Sequence, residues 1–87
     1  MEHKPDIQTL LSVFAIIREH GEQQSDQSYQ LNGVTALSDL DGYHVVLKDD
    51  AVRLDINFHN THQYQYEHRQ QLERFVSRLE TIAEQYG

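Results

Sequence analysis

The amino-acid sequence predicts an α+β fold in which an N-terminal helix, an antiparallel β-meander of three to four strands and a long C-terminal helix follow one another. Three observations support this prediction. Apolar residues recur every three or four positions at both ends of the chain, apolar and polar residues alternate in the middle, and turn-forming residues separate the alternating runs. Both helices are expected to pack on the same apolar face of the sheet. The 87 residues are expected to form a single globular domain.

The first helix is predicted over about residues 6–20. Asp6 is its candidate N-cap, and Gly21 is expected to end it in a left-handed conformation. At about 100° per residue, its apolar positions cover roughly 220° of the helix surface, which is more than a one-sided helix needs. Either the second helix and the sheet both cover this arc, or a second subunit does. The apolar positions are Ile7, Leu10, Leu11, Val13, Phe14, Ile16 and Ile17.

Residues 22–28, EQQSDQS, are polar without an apolar period and predict a mobile connection. Asn32 and Gly33 then favour a tight hairpin turn, because both residues tolerate positive φ angles. The predicted strands span about residues 29–31, 34–37, 43–48 and 51–59.

The last two predicted strands form a hairpin with one apolar face. If its turn is centred on Asp49 and Asp50, Leu47 lies opposite Val52. On the solvent side of the same hairpin, His44 then faces Asp55. The alternation on both strands makes a register slip of one residue unfavourable, since it would turn every apolar side chain to water.

The second helix is predicted over about residues 62–86, with Thr61 as its candidate N-cap. Its apolar stripe begins at Tyr64 and continues through His68 to Tyr86 in steps of three or four. His68 is therefore expected to be a neutral, hydrogen-bonded ring within the stripe.

Composition narrows the classes of function. The chain contains no cysteine and carries a formal charge of −7, from 14 acidic and seven basic residues. Such a charge repels nucleic acids and anionic membranes, so neither is an expected partner. The N-terminal residues lack the pattern of a signal peptide, and the absence of cysteine is compatible with a reducing compartment. We expect a cytoplasmic protein.

A histidine-rich segment, residues 58–69, raises the question of a metal site, because it holds three of the six histidines. His59 and His62 flank a bend, and Asp39 or Asp41 from the preceding loop is a candidate third ligand for a zinc-like ion. Thiolates and a paired-histidine motif are missing, so solvated surface histidines are the favoured interpretation. The sequence therefore predicts no metal and no other cofactor.

Catalysis is not indicated. No serine lies in a GxSxG context, and no glycine-rich loop suits a phosphate. His44 and Asp55 are a candidate general-base pair, but an exposed sheet face lacks the pocket that such a pair needs. We expect a protein that is not an enzyme.

Contact with a protein partner is the favoured role. Ile16 and Val13 widen the apolar arc of the first helix, and Arg18 lies inside the same arc. The Arg18 guanidinium is expected either to reach helix carbonyls or an aspartate of the loop at 39–41, or to anchor a carboxylate of a partner.

Three segments, REHGE (18–22), GVTALSDLDGY (33–43) and INFHNTHQYQY (56–66), resemble those of a family of short bacterial proteins, domain of unknown function 3081. The resemblance covers nearly the whole chain. It implies a bacterial cytoplasmic protein and carries over no catalytic residue.

The sequence thus favours a small noncatalytic interaction or regulatory module. Its expected partner is either another protein or a second copy of itself in a homodimer. The alternative is a protein that binds a metal or small ligand through His59 and His62.

Overall fold

The computed structural model describes residues 5–38, 44–57 and 61–86. These residues form two helices and six strands, and every pair of neighbouring strands is antiparallel. The strands lie in the sheet in chain order, from β1 to β6. The α+β class is confirmed, whereas the predicted number of three to four strands is wrong. The elements are α1 (Ile7–His20), β1 (Glu22–Gln23), β2 (Tyr29–Leu31), β3 (Val34–Ser38), β4 (His44–Lys48), β5 (Arg53–Asn57), β6 (Thr61–Gln65) and α2 (Arg69–Tyr86).

Helix α1 has the bounds that the sequence predicts. The Asp6 carboxylate accepts a hydrogen bond from the Thr9 N–H at 2.9 Å, as an N-cap does. At the other end the Gly21 N–H donates to the Ile17 carbonyl at 2.7 Å. The expected left-handed conformation is wrong, because Gly21 is extended, with φ −80° and ψ 173°. Glycine provides space there instead, since a Cβ would lie 2.8 Å from the carbonyl oxygen of Gln30 in β2.

The polar segment after α1 forms structure, so the predicted mobile connection is wrong. Glu22–Gln23 pair with β2, and the turn between these strands is closed by an aspartate side chain. The Asp26 carboxylate accepts hydrogen bonds from the Ser28 hydroxyl at 2.6 Å and from the Ser28 N–H at 3.1 Å. Ser28 is buried, and Gln27 adopts a positive φ of 74°. An aspartate that binds the backbone two residues later is a turn former, which explains the reversal.

The hairpin between β2 and β3 forms at the predicted dipeptide. Asn32 and Gly33 have φ angles of 53° and 82°, as a tight turn of this kind requires. Leu31 consequently lies opposite Val34 on the apolar face of the sheet.

The hairpin between β4 and β5 keeps its predicted apolar face but not its predicted register. Leu47 lies opposite Leu54 rather than opposite Val52. The Asp49 N–H donates to the Val52 carbonyl at 3.0 Å, so the loop comprises residues 49–52 and is longer than the predicted turn. Because side chains alternate with a period of two, this shift of two positions leaves the same side chains facing the core.

The largest error of the sequence prediction concerns the start of the second helix. Thr61–Gln65 form strand β6, and α2 begins only at Arg69. Tyr64 lies opposite Leu54 on the apolar face, which shows that the alternation in THQYQ is the period of a strand. The step of four from Tyr64 to His68 fits a helix equally well, so periodicity over so few residues did not distinguish the two.

Helix α2 is capped by His68 and not by Thr61. The His68 carbonyl accepts from the Gln71 N–H at 3.0 Å and from the Leu72 N–H at 3.3 Å. The His68 N–H in turn donates to the Gln71 side-chain oxygen at 3.1 Å, which is the contact that the third helical residue makes in a capping box. His68 is exposed, so its predicted place within the apolar stripe is wrong.

One apolar core joins both helices to one face of the sheet. Helix α1 packs against α2 and against β2 and β3, so elements of the same chain cover its wide apolar arc from two sides. The opposite face, called the open face below, carries mainly polar side chains. The core residues are Leu10, Val13, Ile17, Val34, Ala36, Val45, Leu47, Val52, Leu54, Ile56, Leu72, Phe75, Val76, Leu79 and Ile82.

Neither α1 nor α2, the helices of the described residues, is long and apolar enough to cross a membrane.

Candidate functional site

Strand β6 forms an edge of the sheet, because no strand of the described residues pairs with its outer side. Thr61, His62, Gln63 and Gln65 are exposed, and Tyr64 is half-buried. Alternate residues of an antiparallel edge strand direct their backbone N–H and C=O groups outward. The outer side of β6, called the β6 edge below, therefore presents a row of backbone groups that a further strand can bind.

The β6 edge lacks the residues that usually protect an edge from pairing. Natural edges carry lysine, proline, inward-pointing charges or bulges, or are very short. The sequence of β6, THQYQ, has no charge and no proline, although 24% of the chain is charged. The opposite edge, β1, is only two residues long. Of the two edges formed by the described residues, β6 is the longer and the better suited to hold a partner strand.

A charged cluster centred on Asp55 lies beside β6 on the open face. Its Oδ1 is 3.0 Å from His44 Nε2 and 3.1 Å from Arg53 Nη2, and the Gln65 amide donates to its Oδ2 at 3.3 Å. The predicted contact between His44 and Asp55 is present, but it is diagonal, because Asp55 pairs with Val46. The negative charge of the Asp55 carboxylate beside β6 is thus balanced by contacts with its neighbours.

Burial raises the pKa of Asp55, but hydrogen bonds from Arg53 and His44 outweigh it and hold the pKa below the ordinary value of 3.8. The carboxylate is therefore ionised at neutral pH. Its contribution to stability is present above the ordinary value and is lost as the pH falls through the lowered pKa.

The Tyr64 hydroxyl provides a test of the placement of β6. Burial, together with the charge of Glu80, raises its pKa from 10.0 to about 12. We expect a spectrophotometric titration to contain a tyrosine component with a pKa of about 12, and Tyr64→Phe to remove that component. Since the unfolded chain ionises first, the fold loses stability as the pH rises from 10 toward 12. Circular dichroism at each pH verifies that the chain is folded, and a titration curve that Tyr64→Phe leaves unchanged above pH 11 would contradict the placement.

A second candidate site is a cleft of about 510 Å³ between the C-terminal part of α1 and strands β1 to β3, called the Arg18 cleft below. The Arg18 Cζ lies 5.4 Å from the centre of the Tyr29 ring and 5.9 Å from that of Phe14. Both distances are within the range of about 6 Å over which a guanidinium is attracted to an aromatic face. The two rings thus hold the Arg18 side chain at the cleft.

Most of the polar wall of the Arg18 cleft was missed by sequence reasoning. Gln23, Asp26 and Gln27 line it, and all three lie in the segment predicted as a mobile connection. The aspartate at position 26 was the signal available, because an aspartate side chain commonly closes a turn by accepting from the backbone N–H two residues later. The positive φ of Gln27 had no signal in the sequence.

The three residues predicted to contact a partner have different environments. Val13 is fully buried in the core, so a partner does not reach it in this fold. Ile16 is half-buried and packs against the core cluster. Arg18 is exposed and lines the cleft. Among the described residues, the exposed large hydrophobic residues are Tyr66 and Tyr86, and neither lies on α1.

Of the residues considered for a metal site, His59, Asp39 and Asp41 lie outside the described residues. His62 is exposed in β6, with its ring 5.8 Å from that of Tyr64. Within residues 5–38, 44–57 and 61–86, no group of three or more histidine and carboxylate side chains is arranged to hold a metal ion.

Comparison with protein families gives a match over residues 5–87 to the family described as "Protein of unknown function (DUF3081)". The chain belongs to this family. The match extends over both helices and all six strands of the described residues, so the β6 edge and the Arg18 cleft lie within the matched region. The resemblance of the three sequence segments is thereby confirmed. Neither the curated proteins nor the solved structures gave a match.

Proposed function

We propose that this DUF3081 protein is a small noncatalytic interaction module that pairs with a second copy of itself through β6. The observation that supports the proposal is the five-residue, charge-free edge, with whose outer side no strand of the described residues pairs. Edge strands of this kind add a strand from another chain, with backbone hydrogen bonds supplying the affinity.

A second copy suits the β6 edge because the strand is complementary to itself. In antiparallel pairing about a two-fold axis at Gln63, all five residues find a partner. Gln63 then faces its own copy, Thr61 faces Gln65, and His62 faces Tyr64. The last pair lies on the face of the sheet that carries the helices, where an aromatic cross-strand pair is favourable.

Charge also favours pairing at this position. Two chains of charge −7 repel each other at long range, so a stable contact requires a neutral surface. The strand has no charge, and Asp55 on the neighbouring strand is compensated by Arg53 and His44. The same acidity disfavours nucleic acid as a partner.

The absence of catalysis is part of the proposal, and the position of the His44–Asp55 pair supports it. An enzyme places its general base in a pocket that surrounds the substrate. The Asp55 carboxylate is instead held by Arg53 on the open face, and neither His44 nor Asp55 lines the Arg18 cleft.

A charge-swap experiment tests the pairing. Gln63→Glu sets two carboxylates opposite each other at the axis, and Gln63→Lys sets two ammonium groups there. We expect each variant alone to raise the dissociation constant of the dimer on the order of five- to tenfold. An equimolar mixture is expected to form a heterodimer at least as tight as the wild-type dimer. Sedimentation equilibrium and native mass spectrometry measure both.

Gln8→Glu is the matched control, because it makes the same change in charge at an exposed position of α1. It is expected to leave the dissociation constant unchanged. A wild-type protein that is monomeric at every accessible concentration would contradict the proposal, as would variants that dimerise as the wild type does.

A further inference from the structure

We infer that the Arg18 cleft binds a carboxylate group, with the guanidinium of Arg18 as its bidentate anchor between the rings of Phe14 and Tyr29. This inference concerns a site on α1 and strands β1 to β3 and does not depend on pairing through β6. The expected ligand group is a carboxylate. Its source is either a singly charged organic acid or a protein.

The first step is the state of Arg18. Other arginines of this acidic chain lie near carboxylates: Arg53 is 3.1 Å from Asp55, and Arg78 is 3.2 Å from Asp49. Arg18 forms no ion pair and no hydrogen bond with any described residue. Within the part of the chain that the structure describes, its N–H donors therefore meet no acceptor, and their planar arrangement matches the two oxygens of a carboxylate.

The second step is the fixed position of the guanidinium. Contacts with the two rings, at 5.4 and 5.9 Å, restrict a side chain that otherwise loses much conformational entropy on binding. Arg18 also lies in the last turn of α1, where the helix carbonyls favour a cation. An arginine held in this way binds an anion with less loss of freedom than one on a bare surface.

The third step is the wall of the cleft, which selects among anions. Asp26 lines the cleft, and hydrogen bonds from Ser28 hold its pKa below the ordinary aspartate value, so it is negative at neutral pH. A fixed negative charge disfavours a doubly charged anion such as phosphate more than a carboxylate. Phe14, Tyr29 and Leu37 supply apolar surface for the body of an organic acid. The volume of about 510 Å³ is within the range of small-ligand pockets.

Nuclear magnetic resonance of the full chain, observing the Arg18 Nε–H group, tests the inference. The probes are benzoate, its neutral analogue benzamide, inorganic phosphate, and an acetylated tetrapeptide with either a free or an amidated C-terminus. We expect benzoate or the free-carboxylate peptide to shift the Arg18 signal in a saturable way. Benzamide and the amidated peptide are expected not to do so. Tighter binding of benzoate indicates a small organic acid, and tighter binding of the peptide indicates a carboxylate of a protein.

Variants connect the binding to the cleft. Arg18→Gln is expected to weaken carboxylate binding on the order of tenfold, and Arg18→Lys to weaken it less, because charge is kept while the bidentate geometry is lost. Asp26→Asn, which retains an acceptor for Ser28, is expected to tighten it several-fold. Arg74→Gln is the matched control, since it removes the same charge from an exposed position on α2. For Arg18→Gln and Arg18→Lys, whose own signal is altered, the ring signals of Tyr29 report binding.

Two results would overturn the inference. One is phosphate binding at least as tightly as both carboxylate probes, which would identify a general anion site. The other is the absence of saturable binding of either carboxylate, or binding that Arg18→Gln and Arg74→Gln weaken equally. Arg18 is exposed, so its substitution is expected to leave the thermal unfolding midpoint within a few degrees of that of the wild type.

Discussion

Replacement of Phe75 by alanine is expected to lower the free energy of unfolding by about 3–5 kcal/mol. Phe75 is fully buried at the centre of the core, and its ring meets the Tyr64 ring edge-on with the centroids 6.4 Å apart. The substitution removes the transfer energy of the ring and leaves a cavity between α2 and the sheet. Urea denaturation followed by circular dichroism measures the change.

Two variants control for this result. Phe75→Leu keeps most of the volume and is expected to cost about 1 kcal/mol. Tyr86→Ala removes an aromatic ring from the exposed end of the same helix, where 41% of the residue is accessible, and is expected to cost less than Phe75→Ala. A cost below about 1 kcal/mol for Phe75→Ala would contradict the packing of α2 against β6.

Asp49→Ala is expected to cost about 2–4 kcal/mol. The Asp49 side chain is only 2% accessible. One of its oxygens accepts hydrogen bonds from the Ala51 and Val52 N–H groups at 2.9 and 2.8 Å, and the other accepts from Arg78 Nη1 at 3.2 Å. The carboxylate thus closes the loop between β4 and β5 and ties it to α2. Its loss leaves two backbone donors without this acceptor.

Asp50→Ala is the matched control for Asp49→Ala. The Asp50 side chain is 88% accessible and lies 3.9 Å from the same Arg78 guanidinium, so its loss is expected to change stability by less than about 0.5 kcal/mol. Asp49→Asn keeps an acceptor for the loop and loses the charge, and an intermediate cost is expected. Equal costs for Asp49→Ala and Asp50→Ala would show that net charge, and not the buried loop contacts, accounts for the effect.

The elements that could be predicted from sequence are those whose local signals agree with their tertiary environment. Helix α1 has a cap at Asp6 and a long apolar period, and the hairpin at Asn32 and Gly33 has a dipeptide suited to positive φ. The side chains of β4 and β5 that face the core were also predictable, because the alternation of apolar and polar residues does not depend on the length of the loop. The register was not, because the hydrogen bond between Asp49 and Val52 lengthens that loop.

The candidate sites were less predictable, because they depend on neighbours that are distant in sequence. Residues 61–65 become a strand by pairing with β5, and only this pairing distinguishes the spacing of Tyr64 and His68 from that of a helix. Arg18 was identified from its position inside an apolar arc. The cleft around Arg18 was not predicted, because its opposite wall is formed by strands β1 to β3, which follow α1 in the chain and contact it only in the folded protein.

Backbone amide hydrogen exchange in β6, measured at low and at high protein concentration, tests the central claim most directly. In a monomer the outward N–H groups of Thr61–Gln65 exchange without protection, whereas those bonded to β5 are protected. Pairing of two copies predicts that the outward amides become protected as the concentration rises, and that Gln63→Glu abolishes this protection. Outward amides that exchange freely at every concentration would contradict the pairing of β6 with a second copy.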